Sequence, residues 1–243
     1  MKLFSLPNLF TLANLFSGCL ACIFLIKGFP PTILVWFLIA SLIFDFFDGF
    51  IARFTKTNSE LGVQLDSLAD MVTFGFFPGL LMSVLLMPEI FLFSNTEYSL
   101  QTYILNFGYL GLFITLFSAL RLAKFNIDKE QTYYFKGLPT PANAILIFSI
   151  YWLINENKVD FLMNQYILLG ITAISCYLLI ANIPLFALKF KGFKWNGNEL
   201  KIIFLFVSSI LLIFFQMLSV PLIILCYIIV SIICKKKILE GIL

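Results

Sequence analysis

Apolar residues along this chain fall in blocks of about 20, the length a helix needs to cross a hydrocarbon core of about 30 Å. Polar residues collect between the blocks. The pattern predicts eight spans, at 8–27, 31–53, 66–88, 101–123, 139–154, 162–186, 201–217 and 219–234. The first block carries Asn8, Thr11 and Asn14 and is followed by no small-residue cleavage site, so it is expected to remain as a span rather than to act as a cleaved signal. The last two spans are divided only by a tight turn near Ser219–Pro221. The expected fold is therefore all-α: a polytopic transmembrane helix bundle with a six-helix core over about 8–186 and a C-terminal pair over about 201–234. The whole of 1–243 reads as one integral-membrane domain.

Composition agrees. Of 243 residues, 61% are hydrophobic and 12% charged, with a mean hydropathy of +1.00; a soluble domain carries about 25% charged residues. An ordinary soluble enzyme, a disordered chain and a nucleic-acid binder are excluded. The absence of histidine removes imidazole catalysis and histidine metal ligation. Cys19, Cys22, Cys176, Cys226 and Cys234 lie in or beside apolar blocks, and the lone Cys19-x-x-Cys22 has no second pair to complete a zinc site.

Charge sets the orientation. With a cytoplasmic N-terminus, fourteen of the sixteen basic residues fall inside, including the cluster Lys189, Lys191, Lys194 and Lys201 and the terminal Lys235 to Lys237. Only Lys27 and Lys158 fall outside, and the external loop from Pro88 to Leu100 has Glu89 and Glu97 but no Lys or Arg. Both termini are expected in the cytoplasm. A six-span variant with a re-entrant C-terminal hairpin keeps the same orientation. The basic clusters most simply hold loops at an anionic lipid surface, and Trp36, Trp152 and Trp195 fit interfacial anchoring.

The chemistry stands out against this background. Four of the six aspartates, Asp45, Asp48, Asp66 and Asp70, lie within 26 residues at the edges of spans two and three. On insertion scales four carboxylates cost roughly 10–14 kcal/mol at the membrane centre, less near the interface. Arg53 alone cannot neutralise them. At about 100° per residue, Asp45, Asp48, Gly49 and Ala52 share an arc of roughly 100° on one helix. Asp66 and Asp70 lie four apart on the next. Joined by the turn Thr55 to Glu60, the two helices can present all four acids to one cavity. Oxygen ligands alone suit Mg²⁺, Mn²⁺ or Ca²⁺, and carboxylates around one or two such ions suit phosphoryl chemistry. A proton or cation pathway is the competing use of intramembrane acids.

Asp45 to Asp70 reads D-x2-D-G-x2-A-R-x8-G-x3-D-x3-D with all eight positions filled. This resembles the signature of the CDP-alcohol phosphatidyltransferases. The resemblance implies a CDP-linked donor, divalent metal (Mg²⁺ or Mn²⁺, two ions), transfer to an alcohol with release of CMP, and a homodimer. It makes Asp45, Asp48 and Asp66 metal ligands and Asp70 the general base, in touch with metal as well. It makes Gly49, Ala52, Arg53 and Gly62 the residues that shape and hold the nucleotide end.

Leu6 to Gly18, Asp66 to Gly75, and Leu120 to Asn126 with Phe135 to Ala142 are similar to bacterial membrane-type phosphatidylserine synthases. That similarity covers roughly the first 145 residues. The expected substrates are then CDP-diacylglycerol and L-serine, and the expected location the inner (cytoplasmic) membrane with the site facing the cytoplasm. Asn8 and Thr11, one turn apart, have two readings: hydrogen bonds to cytosine or ribose, or bonds between helices. Arg121 is either a topology anchor or, with Lys136, the site of a substrate anion. Another acceptor, an archaeal-type donor and an ion-coupled transporter are the alternatives.

Overall fold

Helix α1, Leu6–Ile26, begins where the Ser5 hydroxyl accepts a hydrogen bond from the Asn8 N–H and Pro7 occupies the first turn. In the computed structural model, residues 3–57, 59–87, 107–128, 134–186, 198–235 and 238 are described. The expected external loop with Glu89 and Glu97, the start of span four, Lys2, Lys129, Lys189, Lys191, Lys194, Trp195, Lys236 and Lys237 lie outside the described residues.

The buried stripe of α1 changes character along its length. Asn8, Thr11, Asn14 and Ser17 are buried in the first half, and Ala21, Cys22 and Leu25 in the second. A polar centre at one end of the bundle and an apolar core at the other are therefore written into one helix face. After a turn at Gly28, α2 spans Pro31–Phe54 and packs along α1. It closes with Lys56 in the left-handed region (φ +54°) and the Thr57 N–H on the Ala52 carbonyl. Ser59 then caps α3, Glu60–Asp70, accepting from the Gly62 N–H at 3.0 Å.

Helix α3 runs into a π-helical turn, Met71–Phe76, and on into α4, Phe77–Leu86. The cause is Pro78, which has no N–H to continue an α-helical ladder and would crowd the carbonyl four residues back. Widening the turn lets the Phe77 N–H reach the Val72 carbonyl five residues back. The Gly75 carbonyl, within the widened turn, accepts the Thr115 hydroxyl at 3.2 Å. Neighbours approach this stretch closely at glycine. A Cβ on Gly18 would collide with Thr73 Oγ1, one on Gly79 with Thr115 Oγ1, and one on Gly111 with the Ser83 backbone. Gly108 and Gly111 thus serve contacts within the chain.

A 3₁₀ turn, Phe107–Leu112, leads into α5, Phe113–Ile127. Strand β1, Tyr134–Lys136, precedes α6, Thr140–Asn155. Helix α7, Gln165–Ile180, is followed by strand β2, Pro184–Phe186, then α8, Glu199–Phe215, and α9, Ser219–Ile233. The expected sixth span to residue 186 is corrected here. The helix stops at Ile180, because residues before Pro184 favour extended backbone and β2 pairs antiparallel with β1, Phe135 opposite Leu185. The expected turn between the last spans also moves, to Gln216 (φ +48°), while Pro221 sits harmlessly in the first turn of α9. The Phe204 and Tyr227 rings lie 5.9 Å apart, so α8 and α9 form a hairpin.

Among the described residues, helical stretches long and apolar enough to cross a membrane are Leu6–Ile26, Pro31–Phe54, Glu60–Leu86, Phe107–Ile127 and Glu199–Ile233, the last being the hairpin. Large apolar side chains such as Trp36, Phe46, Phe50, Phe54 and Phe214 face outward, as a lipid-facing surface requires. The polytopic all-α architecture is as expected, apart from a three-residue strand pair among the described residues. One core gathers Leu34, Leu38, Phe74, Leu81, Ile114 and Ile147. A second joins α9 to the strand pair through Leu138, Phe186 and Tyr227, whose hydroxyl donates to the Phe186 carbonyl at 2.8 Å.

Gly137 anchors the loop before α6 on the end of α7. Its N–H donates to the Ile183 carbonyl and that of Leu138 to the Leu178 carbonyl, at 2.9 and 2.8 Å. Its φ is +80°, and a Cβ would lie 2.8–2.9 Å from the Leu178, Leu179 and Ala181 carbonyl oxygens. Gly28 (φ +74°) has nothing within 4 Å of such a Cβ. Gly28→Ala should therefore cost only the left-handed penalty, about 1–2 kcal/mol. Gly137→Ala should lower the thermal midpoint in detergent distinctly further, as a paired melt of the two variants will show.

Candidate active site

The turn between α2 and α3 lets both helices pack on α1, and carboxylates from the two converge beside it. Oxygens of Asp45, Asp48 and Asp66 all lie within 4.8 Å of one another. Asp48 is nearly buried, and its Oδ2 accepts the Thr11 hydroxyl at 2.7 Å. Asp70, one turn beyond Asp66, is 9% exposed, and its Oδ1 accepts from Asn14 Nδ2 at 3.2 Å. Asn14 is held in turn, its carbonyl accepting from the Thr73 hydroxyl at 3.3 Å. Helix α1 thus supplies a neutral donor to a carboxylate of each helix. Among the described residues no Lys or Arg forms an ion pair with any of the four aspartates.

Beside the acids a cleft of about 390 Å³ opens between the starts of α1 and α3 and the end of α2. Asn8, Thr11, Gly49, Ala52, Arg53 and Gly62 all line it, together with Asp48 and Asp66. Every residue expected at the nucleotide end is therefore brought to one place. The small residues leave space where it matters: a Cβ on Gly49 would lie 3.3 Å from Arg53 Nη1, and one on Gly62 3.4 Å from Asn8 Oδ1. Of the two readings for Thr11, the bond to Asp48 is formed. Asn8 Nδ2 donates to the Leu3 carbonyl at 2.9 Å.

Both members of the other expected anion-binding pair have partners within the chain. Arg121 on α5 is 6% exposed, and its Nη1 donates to Thr140 Oγ1 at 3.2 Å. Lys136 is ion-paired with Asp128 at 2.8 Å. Sequence reasoning did not single out Asn14 as Asp70's partner, although the three-residue step Asn8, Thr11, Asn14 was visible. It also missed Pro7, Thr57, Ser59 and Val63 in the cleft wall, where no residue type advertised them.

The donor set fits a hard divalent cation. It is all oxygen, three carboxylates converge, and Asp66 Oδ1 is buried without a hydrogen-bond partner. An unpartnered buried polar atom costs about 1–3 kcal/mol, more when charged. A bound cation would remove that cost.

Fold and site together define a multi-pass membrane protein with a carboxylate centre on its apolar helices that can hold metal beside a small-residue cleft. Residues 4–181 match the CDP-alcohol phosphatidyltransferase family. The chain belongs to that family. It is 34% identical over 218 residues to a CDP-diacylglycerol–serine O-phosphatidyltransferase of Helicobacter pylori (strain J99), covering 86% of this chain and 82% of the relative. The enzyme of the same description from Methanocaldococcus jannaschii is 33% identical over 174 residues, 72% of this chain and 73% of the relative. That from Bacillus subtilis (strain 168) is 31% identical over 196 residues, 80% and 94% respectively.

Thr11→Val keeps the shape but removes the donor to Asp48. The Mg²⁺ concentration for half-maximal binding of a CDP-linked donor should rise about tenfold, as for other outer partners of metal ligands, with the thermal midpoint nearly unchanged. An unaltered Mg²⁺ requirement would show that the bond does not serve the metal site.

Proposed function

We propose that this protein transfers the phosphatidyl group of CDP-diacylglycerol to the hydroxyl of L-serine, forming phosphatidylserine and releasing CMP. The convergence of Asp45, Asp48 and Asp66 on a cleft lined by Gly49, Ala52 and Gly62, with Asp70 alongside, carries the reaction class. The names of its relatives and the Asp66–Gly75 and Phe135–Ala142 segments support serine as the acceptor.

In this reading Asp45, Asp48, Asp66 and Asp70 hold the metal, Mg²⁺ or Mn²⁺ and two ions in all. When bound, the metal supplies charge neutralisation at the donor phosphates and a more electrophilic phosphorus. Gly49, Ala52 and Gly62 admit the cytidine end, while Asn8, Thr11 and Arg53 contact it. Asn14 orients Asp70 through Oδ1, and Asp70 accepts the proton of the serine hydroxyl. The serine oxygen attacks the lipid-bearing phosphorus in line. The bond from that phosphorus to the bridging oxygen breaks, and CMP leaves with the electron pair. Arg121, with Lys136 nearer the surface, binds the substrate anion. Positioning and electrostatics supply most of the rate, and no covalent enzyme intermediate is needed.

The surplus of Lys and Arg on one set of loops supports an active site on the cytoplasmic side of the inner membrane. The contacts of α9 with β2 and Leu138 support a single domain that includes the C-terminal pair. Homodimerisation follows from the family resemblance.

Detergent-purified protein should release CMP from CDP-diacylglycerol only with L-serine and Mg²⁺ or Mn²⁺, and a chelator should abolish the release. Release with glycerol 3-phosphate in place of serine would overturn the acceptor. Asp70→Asn should cut turnover by at least about 10²-fold while donor binding persists. Retained turnover would remove Asp70 as the base.

A further inference from the structure

Several buried polar atoms beyond the carboxylate centre have no hydrogen-bond partner: Asn143 Oδ1 and Nδ2, Arg121 Nε and Ser118 Oγ. They form one layer. Arg121, near the end of α5, bonds Thr140, the first residue of α6. Helix α5 arrives at that level and α6 leaves from it, so the two run antiparallel. One turn back from the bond on α5 is Ser118, and one turn onward on α6 is Asn143. Ser118 packs on the turn that follows Asp70, since a Cβ on Gly75 would lie 3.0 Å from Ser118 Cβ. Helix α6 packs on the same turn. Asn143 is 0% exposed, yet neither end of its amide is used.

An amide left idle in a membrane-buried core calls for a ligand that both donates and accepts. We propose that Asn143 is a specificity-determining residue that reads the ammonium group of the acceptor. Its Oδ1 accepts from the amine, and its Nδ2, with Arg121 Nε, meets the carboxylate. This rests on the serine reaction proposed above and deepens it. An α-amino acid offers both groups on one carbon, matching the amide's paired acceptor and donor. An acceptor without the amine leaves Oδ1 unpaired, which is how a buried polar group rejects a near-isostere.

The test compares L-serine with 3-hydroxypropionate, which is serine without its amine, as acceptors and competitors for the wild type, Asn143→Leu and Asn143→Asp. The wild type should prefer serine. Asn143→Leu should raise the serine KM about tenfold or more and bring the two acceptors close to equality. Its CDP-diacylglycerol KM should stay within about twofold, and its thermal midpoint should hold or rise, because an apolar isostere suits a core that never used the amide. Asn143→Asp keeps the shape and the acceptor oxygen. It should widen the preference for serine, since a carboxylate attracts the amine and repels the analogue. This variant decides the matter if the leucine protein does not fold. An unchanged serine preference in either folded variant would overturn the proposal, as would equal loss of serine and donor KM. A wild type that uses another alcohol in place of serine would overturn the acceptor reading itself, a result distinguishable because it needs no variant.

Discussion

Four carboxylates within membrane-spanning helices, with no basic side chain paired to them among the described residues, are the constraint around which the rest of this bundle is arranged. Their charge is costly at that depth, and the fold answers it in two ways. Helix α1 turns a polar face to them, Thr11 donating to Asp48 and Asn14 to Asp70. The remaining oxygens of Asp45, Asp48 and Asp66 converge, and Asp66 Oδ1 is left without a partner. A cluster so arranged gains most when a cation enters it, and the adjoining cleft lets that cation meet a phosphate-bearing ligand. Stability has been given up locally in a site that a cation would complete.

Holding Asp70 against α1 places demands on the backbone. The π turn that begins after it, imposed by Pro78, carries Thr73 to the Asn14 carbonyl and Gly75 to Thr115. Glycines at 18 and 79 allow the close approaches that those bonds need. The far half of the bundle, with Leu34, Leu81 and Ile147, is an ordinary apolar core that fixes helix positions. Rigidity at one end thus serves placement at the other. Membrane helices gain little from hydrophobic association with each other, so packing at small residues carries much of this task.

Much of this was legible along the chain because the signals were local and periodic. Apolar blocks marked the helices, and the three- and four-residue steps from Asp45 to Ala52 and from Asp66 to Asp70 marked the shared face. What was hidden depends on contacts between distant segments. Strands of three residues such as Tyr134–Lys136 carry too few positions for a period, and β2 merged with the apolar run of the sixth block. The partnership of Asn14 with Asp70 spans 56 residues. Ser118 and Asn143 carry no local signal, and only the Arg121–Thr140 bond sets them at one level. The π turn was hidden for another reason: Pro78 announces a disturbed helix, but not which widened turn relieves it.

Manganese tests the carboxylate centre most directly, since it substitutes for Mg²⁺ and scatters anomalously. Crystals grown with Mn²⁺ and a CDP-linked donor should show anomalous density between Asp45, Asp48 and Asp66, within about 2.0–2.6 Å of their oxygens, as expected for hard-cation ligation. Asp66→Asn should weaken or remove it. Donor bound in the cleft with no anomalous density at these carboxylates, or density confined to another site, would contradict a metal-centred role for them.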